Sequence, residues 1–380
     1  MKKTFYSKQT GKKPSPLFLS FIMLLSFGIL IFSGCKGREN DKNGETPAKG
    51  SSIVVFIPGV IAGSPIYEML ADGTKKAADD FAAANPGNNP AVTTIEGGFN
   101  QAEWESQVTT LAASGSYDLI VSSNPSMPEI VTSVSAKFPK QKFLLLDGEL
   151  EGNPNVYTLR YNQREQAYMA GYIAALTALD SSVEINDQTA GQTATQTAIP
   201  KGIKRIGLVA AQEYPIMNNV ILPGYTEGAK AVDPDFDVDF RVVGNWFDAA
   251  KAAELAAAMI REGEKVLLPI AGGAGQGVVQ AATETGAKVI WFDTNGYAIR
   301  PGTIIGSSIL RQDKAAYEKV TLFLKGALPF GKAEIAGVAD GFVDFVEDDP
   351  LYIAAVSQAV RDKQAEMIAR LRSGELKLDQ

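Results

Sequence analysis

From Ser51 onward, short and wholly apolar segments alternate with stretches of helical spacing, and the alternation runs through the chain twice. A strand whose residues are all apolar must be covered on both faces, which a sheet with one wet face does not provide. Helices between successive strands supply that cover, so the pattern predicts an α/β protein with parallel, doubly wound sheets. In the first half the strands are Ile53–Ile57, Ala91–Ile95, Asp118–Val121 and Lys142–Leu146, with helices over Tyr67–Phe81, Ala102–Ala113 and Pro128–Lys137. In Tyr67–Phe81 the positions Leu70, Ala77, Ala78 and Phe81 recur at helical spacing. The second half repeats the grammar with a helix at Tyr168–Leu179, then Arg205–Val209, Gly224–Ala231, Val238–Val243, Ala249–Ile260, Val266–Pro269 and Val289–Phe292. So much chain exceeds one ordinary core and predicts two lobes. Ser181–Pro200, rich in Thr, Gln and Ala without an apolar period, predicts a long surface loop.

The N-terminus has a different grammar. Lys2, Lys3, Lys8, Lys12 and Lys13 precede a near-continuous apolar run from Leu17 to Phe32, which ends in Phe32-Ser33-Gly34-Cys35. A basic region, a short apolar region and a small-residue cleavage site make residues 1–34 a lipoprotein signal peptide. The run is short for a bilayer span of about 20 residues. Phe32 stands where the usual motif has leucine; an uncleaved anchor and an ordinary secretory signal are the alternatives. Cys35, the one cysteine, is then the lipidation site, and acyl chains there hold the protein to a membrane with about 0.8 kcal/mol per buried methylene. Residues 35–50 are polar and aperiodic, and read as a flexible tether.

Charge and composition exclude several functions. Lys and Arg number 36 against 43 Asp and Glu, and loss of the leader lysines leaves the mature chain at about −12. Such a chain lacks the basic face that nucleic acid requires. There is no histidine, which removes histidine-based triads, histidine metal sites and the commonest general base near neutral pH. Carboxylate chemistry remains open. A single cysteine allows no intramolecular disulfide.

Ligands of open parallel sheets gather beyond the carboxyl ends of the strands, and unusual residues cluster there. Pro58–Tyr67 is a glycine- and proline-rich loop opening a helix; a tight turn is the plain alternative. Ser122-Ser123-Asn124-Pro125 follows the third strand and Asp147-Gly148 the fourth, where Asp147 reads equally as a cap or turn residue. Ala271–Gly277, with Gly272 and Gly273, follows a strand and opens a helix, without the Lys-Ser/Thr of a phosphate-binding loop. Asn245-Trp246-Phe247-Asp248 offers aromatics for stacking or for plugging the core. Asp293-Thr294-Asn295 ends another strand and presents an acceptor for paired hydroxyls. Recurrence at the same strand ends in both halves predicts a cleft between lobes.

Several stretches together, namely Tyr117–Val121, Phe143–Gly148, Asn153–Leu159, Ala170–Leu176, Gly224–Pro234, Gly244–Ala253, Ala271–Gly277 with Ala281-Ala282, and Val289–Asn295, resemble the basic membrane protein family of substrate-binding lipoproteins of ABC transporters. The resemblance covers Ser51 to about Leu371. It implies the type I periplasmic binding protein fold, two Rossmann-like lobes joined by three crossover strands near Tyr157–Tyr161, Gly302–Ile309 and Ala336–Val343. The lobes are then 51–159 with 306–333 and 160–305 with 334–349, followed by a C-terminal helix and tail over 350–380. It further implies a monomeric, non-catalytic binding protein without a cofactor or metal. The partners would be a small molecule and an inner-membrane permease, at the periplasmic or cell-surface side of the membrane.

By position, the resemblance implies that Trp246 stands where a purine nucleoside receptor has a stacking phenylalanine, and that Asp147 and Asp293 are sugar-contacting aspartates. The chain departs from the nucleoside pattern at Gly63 and Ile66-Tyr67, and at Leu310, where a lysine is expected. Its first loop is similar to that of riboflavin-binding members of the superfamily. Riboflavin, as transported ligand, is therefore the favoured expectation, sandwiched between Tyr67 and Trp246, with Asn124, Gly272 and Gly273 also at the site. A purine nucleoside is the alternative. A nucleoside-processing enzyme would need an acidic cluster after the first strand, which is absent; a surface adhesin is a third reading.

Overall fold

The computed structural model describes residues 50–180 and 203–378. The expected signal peptide, Cys35, the tether short of Gly50 and the 181–200 loop lie outside the described residues.

The first lobe is built from β1 (Ser52–Ile57), α1 (Pro65–Ala84), β2 (Ala91–Glu96), α2 (Gln101–Ser114), β3 (Leu119–Ser123), α3 (Met127–Lys137), β4 (Lys142–Leu146) and β5 (Val156–Tyr161). The chain then crosses over. The second lobe contains α4 (Gln163–Leu179), β6 (Arg205–Ala210), α5 (Leu222–Val232), β7 (Asp237–Val242), α6 (Ala249–Glu262), β8 (Val266–Ile270), α7 (Gly275–Thr285), β9 (Lys288–Asp293) and β10 (Ile304–Leu310). A second crossing leads to α8 (Gln312–Leu324) and β11 (Ala333–Ala336), and a third to β12 (Val343–Phe345), α9 (Pro350–Ala355) and α10 (Gln358–Arg372).

Each lobe has a six-stranded sheet, ordered β11-β5-β4-β3-β1-β2 and β12-β10-β9-β8-β6-β7. Every pairing is parallel except that of β12 with β10. In the first sheet the period of two separates the faces. Ile53, Val55, Ile57, Leu119, Val121, Leu144 and Leu146 share a core with α1 and α8, whereas Val54, Phe56, Ile120, Phe143 and Leu145 pack with Trp104 and Val108 of α2 and Val131 and Val134 of α3. All five residues Ile53–Ile57 are fully buried, each contributing roughly 1.5–3 kcal/mol of apolar burial. This is the two-faced cover that the apolar runs require.

The lobe boundaries differ from the expected ones. β10 pairs with β9 from Ile304 to Ile309, so it belongs wholly to the second sheet and the chain crosses after Leu310, not at 305/306. β11 pairs with β5 from Ala333 to Ala336, so the first lobe extends past 333. The C-terminal segment forms two helices; α10 is fastened to α4 by Gln364 Nε2 donating to the Met169 carbonyl at 3.1 Å. In α4 and α5, glycines allow close contact. A Cβ on Gly171 would lie 2.0 Å from the Tyr225 carbonyl oxygen, and one on Gly228 2.1 Å from that of Tyr168.

Candidate functional site

Two aspartates stand at the carboxyl ends of strands, one in each lobe. Asp147 follows β4 and Asp293 ends β9, strands that hold the same place in their respective sheets. Among the described residues these are the two non-glycines with positive φ, at 54° and 71°. Aspartate accepts this left-handed backbone more readily than most side chains. The two carboxyls sense each other across the lobes. Burial, assisted by the Asp293 charge, pushes the Asp147 carboxyl up to about 7, against the opposing charge of Arg160. Burial pushes Asp293 up to about 6, moderated by the Gln166 side chain, whose Nε2 donates to Oδ1 at 3.1 Å. Two acids held short of water and near each other form a strong acceptor site for ligand hydroxyls.

Aromatic rings flank the acids from both lobes. Tyr67 stands in the first turns of α1, with its hydroxyl donating to the Pro58 carbonyl at 3.0 Å. Asn124 Nδ2 donates to that hydroxyl at 3.3 Å, while Asn124 Oδ1 accepts from the Ser126 amide at 2.9 Å. The Asn124 side chain is thus engaged in forming its turn and holding Tyr67. On the second lobe, Asn245 Oδ1 accepts from the amides of Phe247 and Asp248 at 3.0 and 2.7 Å. Asp248 in turn caps α6 by accepting from the Lys251 amide. The Trp246 carbonyl accepts from the Ala274 amide at 3.1 Å, which fixes the tryptophan loop to the glycine turn. Gly272, at φ 54°, lies so close beneath the indole that a Cβ would approach Trp246 Cε3 to 3.3 Å. Gly272 and Gly273 are exposed, and Trp246 itself is 44 % exposed, not a core plug.

Sequence reasoning missed Tyr214 and Gln166. Tyr214 lies in the loop after β6, with its ring 6.3 Å from that of Trp246. Its hydroxyl is held above the usual range by burial and by the charges of Asp293 and Asp147. The loop after β6 is the second-lobe counterpart of the Pro58–Tyr67 loop after β1, and aligning the two halves strand by strand would have found it. Two positions where the chain departs from the nucleoside pattern differ in their surroundings. Leu310 is 4 % exposed and packs in the core, so it does not present open apolar surface to a ligand. Gly63, in contrast, has nothing within 4 Å of its Cβ position and leaves open space there.

One group of acids among the described residues has metal-like spacing, Asp239, Glu262 and Glu264. Arg241 pairs with Asp239 at 2.6 Å and with Glu262 at 2.9 Å, and Arg205 pairs with Glu264. The arginines supply the positive charge that a cation would. No described helix is long and apolar enough to cross a membrane.

Comparison with known proteins agrees with this geometry. A family model described as "ABC transporter substrate-binding protein PnrA-like" matches residues 51–377. A CD4+ T-cell-stimulating antigen of Listeria innocua is 22 % identical over 268 residues, 70 % of this chain and 67 % of that protein. A Lactococcus lactis protein named as an ABC transporter nucleoside-binding protein is 29 % identical over 166 residues, covering 44 % of this chain and 40 % of the relative. Among solved structures, an ABC transporter solute-binding protein from Aeropyrum pernix superposes with a TM-score of 0.69 at 22 % identity, over 87 % of this chain and 93 % of that one. The last supports the fold, two α/β lobes with crossover strands, which is that of type I periplasmic binding proteins.

Proposed function

The chain belongs to the PnrA-like family of ABC transporter substrate-binding proteins, and from that premise we propose that it captures a nucleoside between its lobes for uptake. Proteins of this family bind a small solute for a membrane permease and are not catalysts. The observation that carries the nucleoside reading is the pair Asp147 and Asp293. One acid comes from each lobe, each on left-handed backbone at an equivalent strand end. Carboxylates accept hydrogen bonds from vicinal hydroxyls, the feature that a ribose offers, and Tyr67, Tyr214 and Trp246 suit the flat base attached to it. The relative named for nucleoside binding adds support. Lipid attachment at Cys35 would hold the protein beside its permease.

Riboflavin is the second reading, favoured by the open space at Gly63; Leu310 is buried in the core and offers it no apolar surface. The test is to identify by mass spectrometry the small molecule released from the purified protein, and to titrate adenosine, guanosine, inosine and riboflavin by calorimetry. Nucleoside binding with no heat from riboflavin is expected. Tight riboflavin binding without nucleoside binding would overturn the proposal.

A further inference from the structure

At the first two of the three crossings between lobes, the helix the chain enters carries a fully buried glutamine close to its start. Gln166 lies four residues past Asn162, the N-cap of α4 after the first crossing. Its Nε2 donates to Asp293 Oδ1 and to the Ser308 carbonyl, both at 3.1 Å. Both neighbours are pure acceptors, which fixes which end of the amide faces them. Ser308 lies in β10, two residues before the strand ends at Leu310 and the chain crosses back. Gln312 opens α8 on that return. It accepts from the Tyr161 hydroxyl and donates to Ser123 Oγ, both at 2.6 Å, and so ties the end of β5 to the end of β3. One glutamine therefore joins a crossover to a cleft acid, while the other joins a crossover only to the frame.

We propose that Gln166 is a positioning residue that couples the charge and placement of Asp293 to the interlobe crossovers, so that engagement of this acid is transmitted to the hinge. The inference rests on the reading of Asp293 as part of the ligand site, but its test does not need the ligand. Gln166 satisfies Asp293 with an N–H that favours the carboxylate form. It simultaneously holds β10 next to the second crossing. Movement of Asp293 toward a ligand hydroxyl thus pulls on the two segments that join the lobes. The Gln166 Oε1 and Ser308 Oγ atoms, both buried without a partner, leave Nε2 as the amide's anchoring atom.

The groups that act on Asp293 are few. Gln166 on α4 donates to it, and its charge is felt by Asp147 after β4 and Tyr214 after β6. Arg160 on β5 acts on Asp147. Removing the Gln166 donor should therefore show directly in the Asp293 titration.

The experiment follows the Asp293 carboxyl by carbon-13 NMR in the ligand-free mature chain, with the signal assigned through Asp293→Asn. Radius of gyration is measured by scattering from pH 5 to 8 in parallel. Gln166→Met should raise the Asp293 midpoint by about one pH unit, and any change of radius that accompanies ionisation of Asp293 should move with it. Gln312→Met breaks equivalent crossover bonds without touching Asp293 and should leave that midpoint in place. Gln166→Asn, which keeps the amide but shortens its reach, gives a second reading should the methionine variant fold poorly. An Asp293 midpoint unmoved in the Gln166 variants, or moved equally by Gln312→Met, would overturn the coupling. Failure of nucleosides to bind would overturn the proposed ligand and leave this result standing.

Discussion

Replacing Asp147 by asparagine removes one of the two opposed cleft charges without disturbing the backbone, because asparagine also accepts the left-handed conformation that φ 54° demands. The carboxyl is raised from 3.8 to about 7, chiefly by burial and then by Asp293. A group with a raised acid pKa binds its proton more tightly in the folded state. Its contribution is therefore most favourable below about pH 4 and is lost as pH rises through the interval up to about 7. Three units at 1.36 kcal/mol each set an upper bound of about 4 kcal/mol of strain above pH 7. Asp147 is only half-buried, so water screening reduces this. Asp147→Asn should therefore stabilise the protein by roughly 1–4 kcal/mol at pH 8. Its advantage should shrink at pH 5, by up to roughly 2.5 kcal/mol when the full shift operates. Urea denaturation of wild type and variant, followed by tryptophan fluorescence and circular dichroism at both pH values, measures this. Equal pH dependence in the two proteins would refute the argument that the acid is held close to neutrality by its surroundings.

Other outcomes follow from the same geometry. Trp246→Ala should weaken nucleoside binding about tenfold or more, since stacking adds about 0.5–1.5 kcal/mol to the apolar area lost, while circular dichroism stays unchanged. Unaltered affinity by calorimetry would leave Tyr214 and Tyr67 as the base-holding rings. Gly171→Ala forces α4 and α5 apart, because its Cβ would meet a backbone oxygen at 2.0 Å. A loss of about 1–3 kcal/mol is expected, measured by urea denaturation, and no loss would mean that the helices separate freely. Cys35→Ser should release the chain into the aqueous phase of a detergent partition. Retention would point to an uncleaved anchor.

Where the sequence spoke clearly, one physical cause lay behind it. β1, β3 and β4 carry runs of three to five consecutive apolar residues because both of their faces are covered. β11 and β12 escaped notice as strands because they have four and three residues, too few for any period. The resemblance placed a crossover strand near Ala336–Val343, where the structure has a turn joining β11 to β12, and the misplaced boundary at 305/306 has the same origin. At the site, acids at strand ends stood out, since charge at the edge of an apolar run is conspicuous. Asn124 was conspicuous for the same reason, yet its side chain is engaged in shaping its own turn and restraining Tyr67. Gln166 was invisible because a buried glutamine inside an alanine-rich helix has no local signature; its meaning depends on β9 and β10, which arrive more than a hundred residues later.

The placement of β11 bears on how such a chain is made. The first sheet opens with Ser52 and is completed only by Ala336, after every parallel strand of the second sheet has been synthesised. A chain emerging from the ribosome can therefore assemble β1 to β5, but it leaves the outer edge of β5 unpaired and α1 without α8 against it until nearly the whole polypeptide exists. Distant pairings of this sort form slowly. In a chain that crosses a membrane before folding, such delay would keep the polypeptide pliable until its last two crossings complete both lobes.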